Sequence, residues 1–159
     1  MYAPSKPTTA VGFDPPQLID NHGRVITYLR LAITDRCNLR CSYCMPEDGV
    51  ETVAHGETLR YEELERVVRL FLGMGIAKIR ITGGEPFVRR GCMEFLERLK
   101  NDLGVTQLVV TTNGVETARY LKRLKALPIS GINLSLDTLD PQRFKTITRR
   151  DRLAEVMET

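Results

Sequence analysis

One stretch of sequence decides the fold of this chain: Ile76-Ala-Lys-Ile-Arg-Ile-Thr-Gly-Gly-Glu-Pro86. Residues 76–81 favour a β-strand, and the Gly-Gly-Glu-Pro sequence that follows is a turn signal. Amphipathic helical patterns lie on both sides of it, at residues 64–72 and 92–103. A strand between two such helices is typical of a parallel βα repeat, in which each helix packs back on the sheet.

The same alternation continues over the rest of the chain. Strands are predicted at residues 28–33, 107–112 and 131–136, and further helices at about 116–126, after the helix-start pair Asp140-Pro141, and from about residue 151. We therefore predict an α/β fold with four parallel strands, either an open sheet or part of a barrel. Residues 1–22 hold four of the eight prolines and show no periodicity, so they are predicted to form a flexible N-terminal arm. The folded domain then covers residues 23–159.

The composition is that of an ordinary globular domain. The 159 residues are 42% hydrophobic and 27% charged, with a formal net charge of +3. That charge is too small to favour a nucleic-acid or membrane partner. No apolar run approaches the roughly 18–20 residues of a membrane span, and the N-terminus lacks the apolar segment of a secretory signal. We therefore expect a cytoplasmic protein.

Polar side chains share one face of the predicted strands, towards the C-terminal ends of those strands. Because side chains alternate along a strand, this face is opposite the apolar face that packs on helices. In βα folds, ligands bind at that end of the strands, and inward-facing arginines need anionic partners. A ligand site is predicted here; the alternative is that the same groups bond to one another on an exposed face. The set comprises Arg30, Thr34, Arg80, Thr82, Thr111, Asn113, Asn133, Ser135 and Asp137.

Three of the four cysteines lie close together, at Cys37, Cys41 and Cys44. In a reducing compartment such a group indicates metal binding or catalysis more often than a disulfide. Soft thiolates suit an iron–sulfur cluster or zinc. A structural zinc site takes four ligands, so the fourth would come from Cys92, His22 or His55 at irregular spacing. Cys92 falls on the apolar face of a predicted helix, where a buried small hydrophobic residue is the better interpretation.

Four longer stretches of sequence together contain the three clustered cysteines and the polar strand residues named above. They are Leu29-Arg-Leu-Ala-Ile-Thr-Asp-Arg-Cys-Asn-Leu-Arg-Cys-Ser-Tyr-Cys-Met-Pro46, Lys78-Ile-Arg-Ile-Thr-Gly-Gly-Glu-Pro86, Thr111-Thr-Asn-Gly114 and Asn133-Leu-Ser-Leu-Asp137. The Cys-x3-Cys-x-aromatic-Cys pattern of the first resembles the signature loop of the radical S-adenosylmethionine (radical SAM) enzymes. Taken in order, and together with Arg89-Arg90, the four strings closely resemble the GTP 3′,8-cyclase family of molybdenum cofactor biosynthesis. This resemblance implies an incomplete (β/α) barrel of TIM type and of the radical SAM kind, made of its first four βα units.

The resemblance also implies the chemistry. The three clustered cysteines would hold a [4Fe–4S] cluster whose fourth iron binds the amino and carboxylate groups of S-adenosylmethionine. Reductive cleavage of the sulfonium gives methionine and a 5′-deoxyadenosyl radical, which abstracts the C3′ hydrogen of GTP. Closure of C3′ onto guanine C8 gives (8S)-3′,8-cyclo-7,8-dihydroguanosine 5′-triphosphate, so the family is one of lyases. The electron comes from a reductant protein that the sequence does not identify.

Site residues follow from the same resemblance, position by position. Those matching S-adenosylmethionine contacts by motif are Tyr43, Gly84 and Ser135, and those matching GTP contacts are Arg30, Arg80 and Thr111. The chemistry of the turn adds Gly83 and Glu85 as further residues for S-adenosylmethionine, and the alternative for this Gly-Gly-x-Pro sequence is a bare turn. These residue types suit the roles, since glycines let the backbone approach a ligand, a carboxylate accepts from an ammonium group, and guanidinium groups match phosphate oxygens. No side chain is predicted to be catalytic. Two other basic groups, Arg89-Arg90 and residues 149–152, are expected to be solvated.

The family's chain continues beyond this one, with later strands, a second three-cysteine cluster site and a Gly-Gly tail that this sequence lacks. We therefore expect a truncated domain that makes no product alone. Because its sheet edges are exposed, we also expect aggregation or homo-oligomers. Two alternatives stay open: a catalytically inactive protein that binds the cluster or S-adenosylmethionine, and a zinc or electron-transfer module.

Overall fold

The computed structural model describes residues 16–50 and 58–159. Its strands are β1 (Tyr28–Ala32), β2 (Lys78–Thr82), β3 (Gln107–Thr112) and β4 (Gly131–Leu134), and its helices are α1 (Tyr61–Gly73), α2 (Cys92–Asn101), α3 (Leu121–Ala126), α4 (Pro141–Thr148) and α5 (Leu153–Met157). Most of the predicted N-terminal arm, residues 1–15, lies outside the described residues, as does His55. After it, Ile19 forms an isolated antiparallel bridge with Val25. The boundary of the arm at residue 22 stays a prediction.

The four strands form one open parallel sheet in the order β1-β2-β3-β4, and helices alternate with them. The predicted fold class is therefore confirmed, and the arrangement is consistent with part of a TIM-type barrel. The register places Arg30 beside Arg80, and Thr111 beside Asn133. Residues in register on neighbouring strands share a face of the sheet. Each of these two polar pairs therefore lies on the face that the sequence pattern predicts.

The larger hydrophobic core lies between the sheet and helices α1 to α3. Its centre is the set of strand residues predicted to be apolar, Ile79, Ile81, Leu108 and Val110, which are all buried. Helix α2 packs against them with the buried side chains Phe95, Leu96 and Leu99. None of the helices in the described ranges combines the length and the apolar character that a bilayer span needs.

The fourth strand departs from the predicted pattern. It ends at Leu134 and not at residue 136, and Ile132 and Leu134 are 36% and 41% exposed although they were expected to pack on helices. β4 is an edge strand with one neighbour, and α3, which precedes it, has six residues. The helical layer is thus thinner at this edge, which leaves the apolar face of β4 partly open.

The helix predicted over about 116–126 begins instead as a 3₁₀ turn at Thr117–Tyr120 and becomes α3 at Leu121. The hydroxyl of Thr117 lies 2.8 Å from the hydroxyl of Thr112, at the end of β3, and both residues are buried. This contact holds the turn against the sheet. A tertiary contact of this kind overrides the weak helical propensity of a short segment.

A second, smaller core lies beneath the segment that follows β1. It contains Leu39, which lies between the first two cysteines and is 3% exposed, together with Val115, Phe144, Leu153 and Val156. Helix α4 begins as predicted, because the Asp140 side chain caps it by accepting from Arg143 N at 2.7 Å and Pro141 is its first residue. Helices α4 and α5 therefore support the cysteine segment.

The turn after β2 packs directly on the segment after β1. Gly84 N donates to Thr34 O at 2.7 Å, and Glu85 N donates to Arg36 O at 2.8 Å. The pairing of the two strands therefore continues past their ends. A Cβ atom on Gly84 would lie against the carbonyl oxygen of Arg36, well inside van der Waals contact. Residue 84 is glycine because two backbones meet there.

We expect Gly84→Ala to lower the free energy of unfolding by about 1–3 kcal/mol, the usual cost of overpacking, because the two backbones have to separate. Gly73→Ala is the matched control, since a Cβ at the end of α1 meets nothing within 4 Å. Urea unfolding followed by circular dichroism measures both variants. Equal stability of the two variants would show that the close approach at Gly84 is not required.

Candidate functional site

The predicted site residues lie on loops and strands that meet at the C-terminal end of the sheet. The cysteine segment follows β1, the turn Gly83-Gly84-Glu85 follows β2, and Ser135 follows β4. Because the strands are parallel, these loops emerge on the same side. Arg30, Arg80 and Thr111 lie within β1, β2 and β3. The loops that the sequence motifs single out therefore lie at the C-terminal end of the sheet, and the three strand positions lie on the polar face below that end.

The cysteine segment is fixed against the end of α4. Its backbone at residues 40–42 donates to carbonyl oxygens at residues 147–148. Arg149, which has a left-handed φ of 53°, donates from Nη1 to the carbonyl oxygens of Arg40 and Met45 at 3.0 and 3.1 Å. Arg149 was expected to be solvated, and that expectation is wrong. Its guanidinium instead clamps the segment that carries the cysteines.

The cysteine segment is also held from within. The side chain of Leu39 anchors it in the second core. The guanidinium of Arg40 donates from Nη1 to the carbonyl oxygens of Cys37 and Leu39, at 2.6 and 2.9 Å. The segment thus takes its conformation from contacts within this chain.

The three thiols differ in their environment. Cys37 and Cys41 are half-buried, whereas Cys44 is exposed, and all three are free thiols. Burial raises the pKa of Cys37 and of Cys41 above the usual thiol value. Both thiols are therefore protonated at neutral pH in the free chain, so binding of iron there has to release protons.

The donor set of this segment fits an iron–sulfur cluster. Three thiols supply soft sulfur ligands. Beside them, Asn38 Nδ2 and Arg40 Nε are buried and have no hydrogen-bond partner among the described residues. Each such buried donor requires a partner, such as water, an ion or a ligand. Within residues 16–50 and 58–159, no three cysteine, histidine, aspartate or glutamate side chains converge where a single metal ion could bind.

The additional ligands considered for a zinc site lie in other surroundings. Cys92 is 2% exposed within the larger core, and burial raises the pKa of its thiol to about 12. The interpretation of Cys92 as a buried hydrophobic residue is therefore confirmed. His22 is exposed in the turn before β1.

Glu85 is completely buried, with 0% of its surface exposed. Its Oε1 accepts from Phe87 N at 3.1 Å and from the Thr112 hydroxyl at 2.8 Å, and its Oε2 accepts from Asn113 N at 2.7 Å. Burial raises the pKa of this carboxyl, although the three donors favour its ionised form. The carboxylate joins the turn after β2 to the end of β3, and its contact with an ammonium group of a ligand stays a prediction.

Tyr43 links the cysteine segment to the loop after β4. The residue is 69% exposed, and its hydroxyl donates to Asp137 Oδ2 at 2.9 Å. Burial of the hydroxyl and then its bond to Asp137 raise the pKa of Tyr43, so the phenol stays protonated. Ser135 donates from its backbone N to Thr112 O at 2.8 Å and is exposed. Its hydroxyl is therefore accessible at the same end of the sheet.

Two of the residues predicted to contact GTP carry unsatisfied buried atoms. Arg80 Nε and Thr111 Oγ1 are buried without a hydrogen-bond partner in the part of the chain that the structure describes. The guanidinium of Arg80 lies 5.5 Å from the ring centroid of Tyr28, and Arg30, beside it in register, is exposed. A buried donor without a partner costs about 1–3 kcal/mol. These atoms favour a polar ligand on this face of the sheet.

Sequence reasoning missed several residues that position the site. An apolar residue between two cysteines was the available signal for Leu39. No local pattern could have revealed Arg149, because it contacts a carbonyl group 109 residues away. Arg89, which was also expected to be solvated, donates to the carbonyl oxygens of Ile33 and, at 2.6 Å, of Leu59.

A comparison with protein families matches residues 31–159 to the radical SAM superfamily. Among curated proteins, the chain is 51% identical over 142 residues to the GTP 3′,8-cyclase of Geobacter sulfurreducens, a match that covers 89% of this chain and 44% of that protein. It is 46% identical over 145 residues to the mitochondrial GTP 3′,8-cyclase of Arabidopsis thaliana, covering 89% of this chain and 37% of that protein. The chain thus spans less than half the length of these relatives. The resemblance stated from the motifs is confirmed.

Solved structures give the same fold. SuiB from Streptococcus suis superimposes with a TM-score of 0.59 at 23% sequence identity, over 82% of this chain and 29% of that one. Its complex with the precursor peptide SuiA gives a TM-score of 0.60 at the same identity and coverage. At this identity the likeness concerns the fold alone.

Proposed function

Because the chain belongs to the radical SAM superfamily, we propose that it binds a [4Fe–4S] cluster and S-adenosylmethionine and serves the lyase reaction of a GTP 3′,8-cyclase. The observation that carries this proposal is the cysteine segment. Its three thiols lie at the C-terminal end of the sheet, and Leu39 and Arg149 hold that segment in place. The curated relatives named GTP 3′,8-cyclase support the choice of reaction.

The residues that would hold the cluster are Cys37, Cys41 and Cys44. When bound, the cluster and S-adenosylmethionine supply an electron and a carbon-centred radical. The chain's own part is to present three sulfur ligands and to keep a fourth coordination position free for the cofactor, since three thiolates serve a four-iron cluster. Partial burial of Cys37 and Cys41 limits access of water to two of these ligands.

Contacts with S-adenosylmethionine are assigned to Tyr43, Gly83, Gly84, Glu85 and Ser135. Gly83 and Gly84 are exposed and present bare backbone beside the cysteine segment. Ser135 offers an accessible hydroxyl on the neighbouring loop. Glu85 lies buried under this turn, and the three hydrogen bonds that its carboxylate accepts hold the turn in its conformation.

Contacts with GTP are assigned to Arg30, Arg80 and Thr111. The two arginines are neighbours in register on β1 and β2, so their guanidinium groups can share one anionic group. The unsatisfied atoms of Arg80 and Thr111 give this face the capacity to bind phosphate or sugar oxygens. The product would be (8S)-3′,8-cyclo-7,8-dihydroguanosine 5′-triphosphate, a precursor in molybdenum cofactor biosynthesis.

The cysteine assignment predicts that Cys37→Ala, Cys41→Ala and Cys44→Ala each lose the cluster. After anaerobic reconstitution with iron and sulfide, the unaltered chain should bind about four iron atoms and, once reduced, release 5′-deoxyadenosine from S-adenosylmethionine. Each of the three variants should lose both. Iron analysis and chromatography of the cofactor products measure the two results.

Cys92→Ala is the matched control, because Cys92 is buried in the larger core. It should keep iron and cofactor cleavage. Zinc bound without sulfide would support the zinc module, and a complete cluster that never cleaves the cofactor would support the inactive cluster-binding alternative. Either result contradicts the proposal.

The GTP assignment predicts that Arg80→Gln weakens binding of GTP about tenfold or more, because a hydrogen bond to a charged group contributes about 1.5–3 kcal/mol. Isothermal titration of the reconstituted chain measures the affinity. Arg69→Gln, at an exposed position of α1, is the control for loss of one positive charge. An equal weakening in both variants would mean that GTP responds to overall charge and not to this site.

A further inference from the structure

Asn113, the residue after β3, contacts the first of the clustered cysteines. Its side-chain Nδ2 lies 3.7 Å from Cys37 Sγ and 2.7 Å from Asn38 Oδ1. Each of its two amide hydrogens therefore has an acceptor. Cys37 Sγ also accepts from Leu39 N at 3.5 Å. The sulfur of Cys37 thus faces two N–H donors of this chain.

The orientation of the Asn113 amide is determined by its other bonds. Its Oδ1 accepts from Val115 N at 3.1 Å, and its backbone N donates to Glu85 Oε2 at 2.7 Å. Turning the amide over would set its oxygen against Asn38 Oδ1 and its NH₂ group against the N–H of Val115. Both contacts would be unfavourable, so the nitrogen faces the sulfur.

The turn that carries Asn113 is closely packed. Gly114 has a left-handed φ of 87°, and its N donates to the Thr112 hydroxyl at 3.1 Å. A Cβ atom on Gly114 would lie 2.6 Å from a methyl group of Leu134 and 3.1 Å from one of Val156. The donor at Asn113 is therefore held by β3, β4 and α5 together, and not by a mobile loop.

We propose that Asn113 is a positioning residue whose side-chain N–H raises the reduction potential of a cluster bound through Cys37. This inference rests on the proposed function. Hydrogen bonds to the ligand sulfurs of an iron–sulfur cluster are one of the factors that set its potential. A donor stabilises the reduced cluster, which carries more negative charge, and so makes its reduction easier. Glu85 supports this role by fixing the backbone of Asn113.

The test is a redox titration of the reconstituted chain, with the EPR amplitude of the reduced cluster recorded against potential. Asn113→Ser removes the donor that reaches Cys37 but keeps a side-chain oxygen for Val115 N. Asn113→Asp keeps the length and the Val115 bond and replaces the donor by a carboxylate oxygen. We expect a more negative midpoint potential in both variants, with the larger shift in Asn113→Asp because it adds negative charge.

Asn101→Ser, at the exposed end of α2, is the control and should keep the midpoint potential of the unaltered chain. Unchanged potentials in both Asn113 variants, with iron content intact, would overturn the inference while leaving the proposed function standing. Loss of the cluster from both variants would also overturn it, because Asn113 would then be required for cluster assembly or, if the melting temperature falls as well, for folding, and not for the potential. If the unaltered chain takes up no iron, the proposed function itself is refuted, whatever the Asn113 variants do.

Discussion

The C-terminal end of the sheet depends on the hydrogen bonds of one buried carboxylate, that of Glu85. The carboxylate accepts hydrogen bonds from Phe87 in the turn after β2 and from Thr112 and Asn113 at the end of β3. The backbone N–H of Glu85 donates to the carbonyl oxygen of Arg36, after β1. One residue therefore joins the ends of three strands. A carboxylate taken out of water is tolerated only when it is hydrogen-bonded in this way. The loops that Glu85 joins carry most of the residues predicted to bind the cluster, the cofactor and the substrate.

Two hydrophobic cores hold different parts of the fold in place. The larger core, between the sheet and helices α1 to α3, sets the strand order and register. The smaller core encloses Leu39 with residues of α4, α5 and the turn after β3, and it determines how the cysteine segment lies. Arg149 adds a clamp on the backbone of that segment. The chain therefore positions its thiols through contacts made by its last helices.

Much of this arrangement could be predicted from the sequence, because strand and helix periodicity is local. The range of β3 and the cap of α4 at Asp140 were predicted correctly, and the alternation of polar and apolar residues located the core. The contacts of Arg149 depend on residues distant in sequence, which no local pattern reports. The helix after residue 116 is divided because the Thr117 hydroxyl contacts that of Thr112 at the end of β3, and helical periodicity does not reveal such a contact with the sheet. Motif resemblance named Glu85 but not its burial, because the depth of a turn depends on the strands around it.

The most direct test of cluster and cofactor binding is EPR spectroscopy of the anaerobically reconstituted and reduced chain, recorded with and without S-adenosylmethionine. We expect a [4Fe–4S]⁺ signal that changes when the cofactor is added, because three cysteines leave one iron of the cluster without a protein thiolate. A chain that binds zinc stoichiometrically and shows no cluster signal would contradict this account, as would a cluster signal that the cofactor leaves unchanged.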